Sequence, residues 1–138
     1  MSRIFASFIA GAVAVLLFHQ GMLTILQVWG FSSRVPFSIQ PTPPLGIPQI
    51  WSTVFWGGLW GIVFLIFERR FPKGAVYFAL AILFGAVGPS LVAWFIVAPI
   101  KAQPLAFGWK PTPMITTLIV NAAWGLGTAL FLRSLSRK

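Results

Sequence analysis

Few side chains in this sequence are equipped for chemistry, and most of those fall inside apolar runs. His19 is the single histidine. An imidazole at depth in lipid can ligate a haem iron or a chlorin magnesium, or relay a proton. Gln20 follows it directly. Ser90, Thr117 and Asn121 occupy comparable depths in later apolar runs, with Ser52 and Thr53 slightly farther out. Such groups are costly in hydrocarbon unless they meet one another, so they are expected to point inward. Two arrangements satisfy that demand. In one, His19, Gln20, Ser90 and Asn121 line a polar pocket open to one face of a bundle. In the other they form dry interhelical hydrogen bonds, each worth roughly 0.6 kcal/mol. Entry of water separates the two.

Other chemistry is closed off by what the chain lacks. Glu68 is the only acid, so paired-carboxylate mechanisms have no second partner. With no aspartate there is no Ser–His–Asp triad, and with no cysteine there is no thiolate nucleophile, disulfide or iron–sulfur ligand. One histidine cannot complete a zinc site, and no glycine-rich phosphate loop is present. The chain is therefore expected not to be an enzyme, and to need no metal or cofactor. A haem or pigment site would rest on His19 alone. Glu68, beside Arg69 and Arg70, reads as an interfacial ion pair worth under about 1 kcal/mol.

The elements that would position these groups are set by hydropathy. Of 138 residues, 58% are hydrophobic and 8% charged, against about a quarter charged in soluble domains. So much apolar surface requires lipid as the solvent. Four runs long enough to cross a bilayer are expected as helices, at about residues 4–28, 48–67, 75–97 and 114–132. The first follows a short basic start, but it exceeds a signal-peptide core and no cleavage site follows it. The connections at 29–47 and 98–113 are proline-rich, with Pro36, Pro41, Pro43, Pro44 and Pro48 in and just after one and Pro99, Pro104, Pro111 and Pro113 in the other. Proline removes backbone donors, so these loops are expected to be extended. The connection Glu68–Gly74 is short and charged. Pro89 is expected to kink the third helix. The fold class is thus an all-α membrane protein, a single domain of four helices.

Basic residues suggest an orientation. Arg3, Arg69, Arg70, Lys73, Arg133, Arg137 and Lys138 fall on the side of the termini, and Arg34, Lys101 and Lys110 on the other. The positive-inside rule then puts both termini in the cytoplasm. Trp29, Trp51, Trp94 and Trp109 would form an aromatic belt near the outer boundary. The scattered bases match anionic headgroups. No basic stripe follows a phosphate backbone, so nucleic acid is not an expected partner. In architecture alone the layout is similar to small four-span proteins of bacterial inner membranes, and architecture does not give function.

Small residues point to how the helices pack. Gly57 and Gly61 share one helix face, with Trp56 and Trp60 beside it. Ala123 and Gly127 form a second small pair. Such faces let backbones approach closely, within one bundle or between chains. A weak repeat relates the halves: Pro41-Thr42-Pro43 and Pro111-Thr112-Pro113 are 70 residues apart, and Trp60-Gly61 and Trp124-Gly125 are 64 apart. Two tandem helical hairpins would follow from a duplication. Together these features imply a protein that acts by helix association, as an accessory or assembly subunit of a membrane complex or as a homo-oligomer. The alternative is a small oligomeric transporter or channel with its polar site near His19 and Asn121.

Overall fold

A computed structural model describes residues 1–43 and 45–136. Pro44 of the first loop and Arg137 and Lys138 of the basic tail lie outside the described residues. Among the described residues four helices are long and apolar enough to cross a membrane: α1 (Arg3–Val28), α2 (Gln49–Glu68), α3 (Ala75–Ile100) and α4 (Pro111–Ser136). They form a helical bundle. One end carries the start of α1, the end of α4 and the short α2–α3 connection; it is called here the terminal end. The other carries the two long loops and is the loop end.

Local signals explain most boundaries. Ser2 caps α1, its hydroxyl accepting from the Phe5 N–H at 3.1 Å. Gly74, at φ 86, turns the chain between α2 and α3 in a conformation glycine adopts without penalty. Helix α4 begins at Pro111 rather than near residue 114. Pro111 and Pro113 sit in its first turn, where a missing N–H costs nothing. It also runs to Ser136, beyond the expected end at 132. Helix α3 continues to Ile100, past the expected 97, so the second loop spans only residues 101–110. Pro89 lies inside α3, and a π-helical stretch at Ala93–Val97 follows it. A matching π-helical stretch, Val15–His19, interrupts α1.

The first loop is extended, as proline dictates, and closes on itself in a two-residue antiparallel ladder, β1 (Pro41–Thr42) with β2 (Ile47–Pro48). The Thr42 hydroxyl donates to the Ile47 carbonyl at 2.8 Å. The second loop contains a left-handed turn through Ala106, Phe107 and Gly108. Left-handed backbone at two consecutive non-glycine residues is strained.

Packing is uneven. Helix α1 lies along α2, α3 lies along α4, and α1 also packs on α4, whereas α2 and α3 make few contacts. Glycine sets both intimate pairings. A Cβ on Gly11 would strike the Gly57 carbonyl, and one on Gly61 would strike the Ser7 carbonyl. Between α3 and α4, a Cβ on Gly85 would strike the Asn121 carbonyl, and one on Gly125 the Ala81 carbonyl. The Gly57/Gly61 face is therefore occupied by α1 of the same chain. Gly127 faces the Phe18 ring, again within the chain, and Ala123 beside it is partly buried. The main apolar core sits at the terminal end, where Phe64, Leu65, Tyr77, Ala81 and Leu132 are buried together. Phe64 and Phe67 of α2 meet Phe84 of α3, with centroids 5.4 and 5.5 Å apart. Trp60 packs edge-on against the same ring at 6.1 Å. These rings join α2 to α3 below the middle of the bundle.

Candidate functional site

A cavity of about 660 Å³ opens in the loop-end half of the bundle. That falls within the roughly 300–1,000 Å³ of small-ligand sites. All four helices contribute to it. Val15 and His19 come from α1, Thr53, Trp56 and Trp60 from α2, Pro89, Ala93 and Val97 from α3, and Thr117, Asn121 and Trp124 from α4. The sparse α2–α3 seam explains the space: these helices meet at Trp60, Phe64, Phe67 and Phe84, and beyond those rings the cavity lies between them. Both π-helical stretches border it, through Val15 and His19 in one and Ala93 and Val97 in the other. An extra residue in a helical turn re-aims the side chains around it, and such stretches recur at functional sites.

The four polar residues singled out by depth form two hydrogen-bonded pairs. His19 Nδ1 lies 3.0 Å from Gln20 Nε2. The Gln20 Oε1 accepts from the Phe37 N–H at 2.7 Å, which ties the first loop to α1. On the other side of the bundle, Asn121 Nδ2 donates to Ser90 Oγ at 3.0 Å. His19 and Asn121 reach the cavity wall, whereas Gln20 and Ser90 are buried behind them as supports. Thr53 and Thr117 also line the cavity, but each hydroxyl donates to a carbonyl of its own helix, Gln49 and Pro113 respectively. With Nδ1 engaged by Gln20, His19 could offer only Nε2 to a metal, and the chain holds no second imidazole.

The loops add what depth alone did not reveal. Arg34 and Ser38 come from the first loop, and Lys101, Gln103 and Lys110 from the second, all on the cavity wall. Burial pulls the Arg34 guanidinium below its ordinary pKa. Lys101 is pulled down first by burial and then by the positive charge of Arg34. These cations thus face one space and repel across it. Among the described residues none that lines the cavity is acidic. Each cation is an isolated base in a proline-rich loop; the distribution of bases put Arg34, Lys101 and Lys110 on one side, but nothing in the sequence placed them around a cavity.

The chain's one carboxylate side chain is at the far end. Glu68 Oε1 accepts from Arg3 Nη2 at 2.6 Å, and Oε2 accepts from the Tyr77 hydroxyl at 2.9 Å. Its partners are thus α1 and α3, and not the adjacent Arg69 and Arg70. The Arg133 guanidinium lies over the Tyr77 ring, 4.9 Å from its centroid, and completes the cluster.

No protein-family model, curated protein or solved structure matches this chain. What can be inferred about function therefore rests on the bundle and its cavity: four apolar helices, a polar and cationic hollow at the loop end, and an aromatic seal beneath it.

Proposed function

We propose that this protein is a non-enzymatic integral membrane binding protein or carrier, and that its ligand site is the loop-end cavity. In this reading the four helices span the bilayer, both termini are cytoplasmic, and the loop end faces outward, in keeping with the distribution of bases. A bacterial inner membrane suits the layout. The single observation that carries the reading is a cavity of about 660 Å³ bordered by all four helices and both loops. A bundle designed only to pack would close that space. The glycine contacts also support two tandem hairpins, since Gly11 and Gly61 meet as Gly85 and Gly125 do.

The reading requires the cavity to be wet. With no native cysteine, single cysteines report access cleanly. Thr53→Cys and Thr117→Cys should react with a membrane-impermeant thiol reagent in intact vesicles. Ala129→Cys, fully buried away from the cavity, should not. Protection at both cavity positions would sink the reading and favour a dry bundle.

A role as an accessory subunit or homo-oligomer is the second reading. The Gly57/Gly61 and Gly127 faces no longer speak for it, because they are occupied within the chain. It draws instead on exposed aromatic surface at the loop end, where Trp29, Trp51 and Trp109 are more than half exposed. Purification from native membranes with stoichiometric partner proteins would favour it.

A further inference from the structure

We propose that the loop-end cavity holds the phosphate headgroup of an anionic lipid, with Arg34, Lys101 and Lys110 on the phosphate and the acyl chains leaving between α2 and α3 past Trp56 and Val97. The proposal rests on the wet-cavity reading and adds the ligand's chemistry.

Charge comes first. Three bases line the one cavity, and no acid lines it among the described residues. Among the described residues no side chain supplies a counter-charge there, because the single carboxylate side chain is held by Arg3 at the opposite end. Two of the bases are partly withdrawn from water, where mutual repulsion is stronger than at an open surface. An anion bound among them relieves that repulsion and satisfies several charged donors at once. A phosphate suits this better than a carboxylate, having more acceptor oxygens for three separate cations.

Shape then selects a lipid over a free ion. Below the bases, Trp56, Trp60, Ala93 and Val97 make the wall apolar, and Trp60 over Gly88 closes the floor. An inorganic ion would leave that wall wetted without compensation. An acyl chain would cover it. The exit is the seam between α2 and α3, which make few contacts. Trp56 stands there about half exposed. A headgroup among cations, with tails passing an indole into the hydrocarbon, is the arrangement expected for an amphiphile entering sideways from the bilayer.

The test uses the purified full chain in a nonionic detergent, carrying Thr53→Cys or, in a second preparation, Thr117→Cys as reporter. The probes are dioctanoyl phosphatidate, dioctanoyl phosphatidylcholine and inorganic phosphate. Phosphatidate should slow labelling of the cysteine and remain bound in native mass spectra. At equal concentration the other two should do neither. Lys101→Gln with Lys110→Gln should raise the phosphatidate concentration needed by about tenfold. Arg69→Gln with Arg70→Gln, which removes equal charge from the terminal end, should change nothing. Trp56→Ala should weaken phosphatidate binding without touching a charge, a check that survives if the lysine variant folds poorly. Equal protection by inorganic phosphate would make this a free-anion site and overturn the lipid assignment. Equal protection by phosphatidylcholine would overturn the role of the bases. Labelling that no probe slows would leave the wet cavity standing and remove the lipid. Cysteines unreactive at both positions without any probe would remove both.

Discussion

The indole Nε1 of Trp124 donates to the Gly11 carbonyl oxygen at 3.0 Å, joining α4 to α1 beneath the cavity. That carbonyl also accepts the Val15 N–H of its own helix, so the indole uses its second lone pair. Trp124 is buried, and its ring packs among Ala14 and Val15. One side chain thus joins the α1–α2 pair to the α3–α4 pair, at the level where Trp60 of α2 meets Phe84 of α3.

Trp124→Phe keeps an aromatic ring and removes the donor. Hydrogen bonds between membrane helices are worth about 0.6 kcal/mol on average and up to about 1.7, and the smaller ring adds a packing loss. The variant should lose about 1–2 kcal/mol against wild type in detergent unfolding. An unchanged midpoint would mean that the two helix pairs are held together elsewhere.

The same substitution should act in opposite directions at two glycines. A Cβ at Gly21 meets nothing within 4 Å, so Gly21→Ala should stabilise α1 by up to about 1 kcal/mol through helix propensity. A Cβ at Gly61 strikes the backbone of Ser7, which cannot swing aside as a flexible side chain does. Gly61→Ala should therefore destabilise by about 1–3 kcal/mol. Gly125→Ala should behave like Gly61→Ala, because its Cβ would strike the Ala81 backbone. Thermal midpoints of the three variants, read beside wild type, decide this. A neutral Gly61→Ala would mean that α1 and α2 lie farther apart than described.

The close α1–α2 contact was only half legible in the sequence. Gly57 and Gly61 declare a bare helix face by spacing alone. Their partners, Ser7 and Gly11, repeat that spacing in α1, but which pair meets which depends on how the first loop returns the chain. Depth likewise gathered His19, Gln20, Ser90 and Asn121, since rise per residue sets depth. Which of them would face a cavity was not legible, because the π-helical stretches in α1 and α3 shift side-chain direction and carry no residue signature. The bases were the least legible. Arg34 and Lys101 face one cavity only because two loops fold over it, one of them through left-handed backbone at Ala106 and Phe107. Alanine and phenylalanine give no hint of that conformation. The start of α4 was misread because prolines mark both loops and first helical turns.

At the terminal end, Glu68 joins α1, α2 and α3 through Arg3 and Tyr77. Glu68→Gln should weaken both contacts, and Tyr77→Phe only one. The Arg3 side chain is 47% exposed and the Glu68 side chain 10%, so solvent screens the ion pair. A double-mutant cycle of Arg3→Gln with Glu68→Gln should give a coupling of about 1 kcal/mol or less, shrinking as salt is added. A coupling of zero would reduce the Arg3 contact to surface decoration, leaving the tyrosine bond as the functional half of the cluster.

Lys101 gives the cavity a pH signature. Its folded pKa lies below the ordinary 10.5, through burial and then Arg34. In the alkaline range below 10.5 the unfolded chain therefore binds more protons at this residue than the folded chain. Stability contributed by this group then rises with pH through the folded pKa and levels off above the unfolded one. At lower pH both states are charged, and the folded state carries the full cost. Other groups titrate in the same range, so the quantity to measure is the stability of wild type minus that of Lys101→Gln, from about pH 7 to 10.5. This difference should start negative and climb towards zero. Dioctanoyl phosphatidate should flatten the climb, because a bound anion offsets the burial and the repulsion that lower the pKa. A difference that stays level with pH would mean that Lys101 keeps its charge in water, outside the repulsive group on the cavity wall.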